Sequence, residues 1–125
     1  MPAVDFRSAK LVEPIPAGKY LLRVTRATEG ISQTGDSYIS IGAEVVEPEE
    51  YGGRFVSGFL NFSPDRIDET FTALVAMGFN AEELRSGVVE VNASDLEGCE
   101  FYAVVGVRHS DEYGDQNVIR RFLLK

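Results

Sequence analysis

The chain is almost without sulfur and imidazole. It holds one cysteine, Cys99, one histidine, His109, and no tryptophan. A single cysteine cannot close an internal disulfide. The pair also falls short of the ligands that a cysteine–histidine zinc site needs. No apolar run approaches the roughly 18 residues that cross a bilayer, so no membrane partner is expected. The opening residues, MPAVDFRSAK, lack a basic stretch followed by an apolar one. That argues against a secretory leader and for a cytoplasmic location. The GxSxG, HExxH and Walker A motifs are missing. Gly53 and Gly58 have the glycine spacing of a phosphate loop, but Phe59 and Leu60 follow where Lys and Ser/Thr are required. The expectation is a protein that is not an enzyme, with no cofactor and no metal. His109 stands near Asp111, Glu112 and Asp115, in a spacing that fits no calcium loop and reads as a solvated turn.

Positive charge is scarce too. There are 12 Lys and Arg against 20 Asp and Glu, for a net charge of −8. Taken whole, this opposes binding to a polyanion. The distribution changes the argument. Between Ser63 and Glu100 nine acids face only Arg66 and Arg85, so this stretch carries −7 and the remainder −1. Charges screen over ~8 Å at physiological salt, so a basic stripe on the nearly neutral frame can still act locally.

What is present is a chain of 125 residues, 44% hydrophobic and 10% aromatic. That is one domain with a real core. Residues 1–18 hold three of the five prolines and no sustained period, and read as an extended arm, with Phe6, Leu11 and Val12 as possible anchors. Residues 19–125 read as a single barrel domain. Lys19 to Thr28 is a strand candidate, with Tyr20, Leu22 and Val24 on one side. Gly30, Gly35 and Asp36 supply turn chemistry. In SYISIGAEVVE, Ile39, Ile41, Ala43 and Val45 alternate with Tyr38, Ser40, Gly42 and Glu44, and Gly42 suggests a bulge or bend. RFVSGFLNF is a third strand with two apolar faces, so Phe55 and Phe59 read equally as core or surface. Ser63-Pro64-Asp65 opens a helix from about Pro64 to Met77. Its stripe is Ile67, Phe71, Leu74 and Val75, and Gly78 ends it. Asn80 begins a short second helix closed by Gly87; VVEV is a candidate short strand and SDLEG a turn. FYAVVGVR and NVIRRFLL are the last two strands.

Three strands, a helical segment and two strands fit a small five-stranded antiparallel barrel, because closure removes the open edges of a three-stranded sheet. That is the architecture of the OB-fold.

Several short motifs carry a resemblance. They are Pro16-Ala-Gly18-Lys-Tyr20, Thr34-Gly35-Asp36, Ala43-Glu44-Val45-Val46-Glu47, Tyr51-Gly52-Gly53-Arg54, Ala76-Met77-Gly78-Phe79, Leu96-Glu97-Gly98 and Asn117-Val118-Ile119-Arg120-Arg121-Phe122. In this order and spacing, from about Pro16 to Leu123, the chain resembles a family of small phage-encoded proteins regarded as OB-fold single-stranded-DNA-binding proteins. The third strand departs from that family at Ser57-Gly58-Phe59, where relatives tend to carry an aromatic and an Asp-Asn pair. The chain also ends RRFLLK, without an acidic recruiting tail. The resemblance implies a non-catalytic protein of phage replication or recombination, in the host cytoplasm, with single-stranded DNA as partner.

Such binding needs aromatic faces for bases and cations for phosphates. Candidates for stacking are Tyr38, Phe55, Phe59 and Tyr113; candidates for phosphate are Arg23, Arg54, Arg108, Arg120 and Arg121. The bland alternative for each arginine is a solvated or ion-paired residue, such as Arg54 beside Glu49 or Glu50. The alternative function is an interaction or phage-assembly module on the same barrel. It would work through the acidic helical segment, or through a homo-oligomer made by the arm or by strand edges.

Overall fold

The computed structural model describes residues 1–5, 7, 13–111 and 114–124. The alternating segments become five strands: β1 Gly18–Ile31, β2 Ser37–Glu47, β3 Phe55–Asn61, β4 Glu100–Arg108 and β5 Gln116–Leu123. They close in the order β1-β2-β3-β5-β4 into an OB-like barrel. Every junction is antiparallel except β3–β5, which pair in parallel at Ser57 and Val118. The odd number of strands causes this departure from the all-antiparallel expectation. Strand directions cannot alternate all the way round a closed ring of five, so one junction has to be parallel.

β1 runs three residues past its expected end because it serves two neighbours. Gly18 to Arg23 pairs with β4, and Leu21 to Ile31 pairs with β2. The register slips between Val24 and Arg26, opposite Ala43 and Gly42. The bulge expected at Gly42 thus lies on the facing strand, where Thr25 is extra and its hydroxyl donates to the Gly42 carbonyl at 3.2 Å. A bulge reverses the side to which later residues point. Tyr20, Leu22 and Val24 face the core, whereas Arg26 is exposed.

The core takes one face of each strand: Ile39, Ile41, Ala43 and Val45 of β2, Val56 and Leu60 of β3, Phe101, Ala103 and Val105 of β4. Ile15, from the arm, is 1% exposed and belongs with them. Its N–H donates to Asn117 Oδ1 and its carbonyl accepts from Asn117 Nδ2, both at 3.0 Å. The arm is thereby stitched to β5 through a buried side chain. Phe6, Leu11 and Val12, named above as anchors, lie outside the described residues.

Helix α1 spans Ile67–Ala76, three residues later than Ser63-Pro64-Asp65 suggests. Ser63 is buried, its N–H donates to Asn61 Oδ1 at 2.9 Å, and its carbonyl accepts from the Arg66 N–H at 3.0 Å. The first three residues are spent on this tight turn. The helix ends at Gly78, at φ +106°, as expected. Its buried positions are Thr70, Ala73, Leu74 and, at its end, Met77. The inward stripe is therefore rotated from the one read in the sequence, and Ile67 is left 47% exposed. Asn80 caps α2, Ala81–Leu84, by accepting the Glu83 N–H. VVEV forms no strand. SDLEG yields a short helix, α3 Ala93–Leu96, that places Leu96 fully in the core. No helix among the described residues is long and apolar enough to cross a membrane.

Candidate nucleic-acid interface

β3 settles which of its two apolar faces is inward. Val56 and Leu60 are buried, so the odd residues point out: Phe55 is 56% and Phe59 59% exposed. Exposing two phenylalanines on one strand leaves apolar surface unburied. The neighbouring strand adds Tyr38, whose ring meets Phe59 edge-on at 5.9 Å. Two glycines let these rings lie close to the sheet. A Cβ on Gly30 would sit 2.4 Å from Tyr38 Cζ, and one on Gly42 would sit 2.9 Å from the Phe55 ring. Gly42 thus admits an aromatic ring and the approach of Arg26, whose Nε is 3.8 Å from the same point.

Beside this face, where β3 meets β5 and α1, runs an open groove of about 840 Å³. Phe59 forms one lip, and Arg66, Arg108, Arg120 and Arg121 line it against a single acid, Glu69. Arg66 is ion-paired with Glu69 at 3.3 Å. Arg108 donates to Gln116 Oε1 at 2.9 Å. Arg120 donates to the Val107 carbonyl at 2.8 Å and lies over Gly106. These last two bonds fix the guanidinium groups without cancelling their charge. Among the described residues no ion pair engages Arg26, Arg108, Arg120 or Arg121.

The other candidates fall elsewhere. Arg23 is held between two carboxylates, Glu44 at 3.1 Å and Glu100 at 2.8 Å, from the strands on either side. These partners, Glu100 foremost, stabilise its charged form and push its pKa up. Its charge is more than neutralised locally. Arg54 pairs with neither Glu49 nor Glu50 but donates to the Glu13 carbonyl, and so helps fix the arm. Tyr113 lies outside the described residues. Arg26 is the residue that sequence reasoning missed. Strict alternation puts it on the core side with Val24, and the clue was the charge itself, which can face outward only if the register slips.

His109 Nδ1 lies 2.6 Å from Asp115 Oδ1 in an exposed turn. Among the described residues no group of His, Cys, Asp and Glu is placed to hold a metal ion. Burial, with some help from Asp95, pushes the Cys99 thiol pKa up, which disfavours the reactive thiolate. No protein-family model matches this chain, and no curated protein matches it.

Proposed function

We propose that the protein binds single-stranded nucleic acid, with DNA as the ligand, without catalysis and with little sequence preference. Bases would stack on Tyr38, Phe55 and Phe59, and the strand would pass its phosphates to Arg26, Arg120 and Arg121. The observation that carries this reading is the outward position of Phe55 and Phe59 on β3, next to a groove lined by arginines. A face of this kind is sequence-tolerant because every base has a π-surface. On an OB-like barrel, strands two and three are also where oligonucleotides bind. The resemblance to phage proteins supports a role in replication or recombination, in the cytoplasm.

The test is fluorescence anisotropy with single-stranded and double-stranded probes at 50 and 200 mM salt. With three arginines engaged, a single strand should lose about an order of magnitude in affinity across that range. Absence of single-strand binding at low salt, in folded protein, would defeat the reading.

A further inference from the structure

Helix α1 carries more apolar surface than the barrel uses. Ile67 and Phe71 turn away from the core into an open groove of about 960 Å³, bounded by the β1–β2 hairpin and by residues 84–92. Opposite them stand Ile31, 72% exposed, and Val89, 42% exposed. Contiguous exposed apolar surface of this kind marks an interaction site. Several of the polar groups around it are already engaged. The Thr70 hydroxyl donates to the Asn61 carbonyl, Glu29 accepts from the Ala93 N–H at 3.0 Å, and Asn92 and Asp95 cap each other's backbone. With Ile31, Ile67 and Val89 exposed around it, apolar contact is the main source of affinity the groove offers. Charge then selects the partner. The groove is lined by Glu29 and Glu90 and by no lysine or arginine. One wall belongs to the stretch that carries −7. The nearby cation, Arg85, lies over the Phe71 ring at 4.6 Å.

We propose that this groove docks a segment of a partner protein that presents apolar anchors flanked by lysine or arginine. The acidic rim favours basic flanks and disfavours acidic ones. An open apolar groove suits side chains spaced along one helix face. The groove adjoins the aromatic face at Tyr38, which lines it, but it holds none of the arginines of the other groove and is opposite in charge. The proposal does not rest on the nucleic-acid reading, because Ile67, Val89 and Glu90 take no part in that face.

The probe is a fluorescent helical peptide of ~14 residues, with leucines at i, i+4 and i+7 among lysines. One control replaces the lysines by glutamate, and another replaces the leucines by serine. The basic apolar peptide should bind and both controls should fail. Ile67→Asp and Val89→Asp should each weaken it at least ~10-fold, and Glu90→Lys several-fold, with weaker binding at high salt. Val89→Asp keeps a second test open if Ile67→Asp perturbs the helix, because Val89 lies outside any helix or strand. Oligonucleotide affinity should be unchanged in Val89→Asp. Equal binding of the acidic peptide, or no effect of Val89→Asp, would overturn the proposal. So would a dimer seen by sedimentation that Val89→Asp abolishes, since the groove would then belong to a second copy of this chain.

Discussion

Asn117 does more for the barrel than its place at the start of a strand suggests. Its amide satisfies both backbone groups of Ile15, a residue otherwise buried without a strand partner. Alanine there leaves a buried N–H and a buried carbonyl unpaired. Each such group costs about 1–3 kcal/mol. Asn117→Ala should therefore lower unfolding stability by roughly 2–4 kcal/mol in a urea titration. A loss under about 0.5 kcal/mol, the range of ordinary surface substitutions, would show that Ile15 finds other partners. The binding residues separate in the opposite way. Phe59 is exposed, so Phe59→Ala should leave the melting temperature nearly unchanged. It should weaken oligonucleotide binding by ~1–3 kcal/mol with an unaltered salt slope. Arg121→Ala should instead flatten the slope by about 0.7. If Phe59→Ala changed the slope and Arg121→Ala did not, the assignment of bases and phosphates would be reversed.

At the scale of the element, the β1–β2 hairpin ties the fold to the face. Gly30 lies under the Tyr38 ring, and a methyl group there would meet the ring tip. That tip is the movable end of a side chain, so Gly30→Ala should shift the ring rather than break the strand. Oligonucleotide affinity should fall toward that of Tyr38→Ala, while the far-ultraviolet circular dichroism is kept. Unchanged affinity would mean that the ring's position is not used. This hairpin also shows what a sequence can reveal. The alternation of Ile39, Ile41, Ala43 and Val45 exposes its inward face directly, because a half-buried strand has period two. The facing strand does not yield as easily, since one extra residue at Thr25 inverts the period and hides Arg26. β3 was ambiguous for a different reason. Both its faces are apolar, and only ring closure decides that Val56 and Leu60, not Phe55 and Phe59, fill the core. In α1 the apolar stripe was legible, but not that Ile67 and Phe71 would line an open groove. A pattern of apolar residues does not tell a core from a docking surface.

For the whole molecule, the two faces carry opposite instructions. One presents aromatic rings and arginines, of which Arg108, Arg120 and Arg121 have no carboxylate partner among the described residues; the other presents apolar side chains within an acidic stretch. A net charge of −8 conceals this division, which is why composition alone argued against a polyanion. The ring is closed unevenly: Arg26 to Ile31 of β1 pair with β2 alone, and β3 meets β5 at the single pair Ser57 and Val118. The most direct test of the nucleic-acid face is a chemical-shift footprint, recorded while an unlabelled oligothymidine is titrated into isotope-labelled protein at low salt. The account predicts saturable shifts at Tyr38, Ser40, Ser57, Phe59 and Arg121, with Ile67 and Val89 unmoved. Shifts confined to Ile67, Val89 and their neighbours, with β2 and β3 silent, would contradict it.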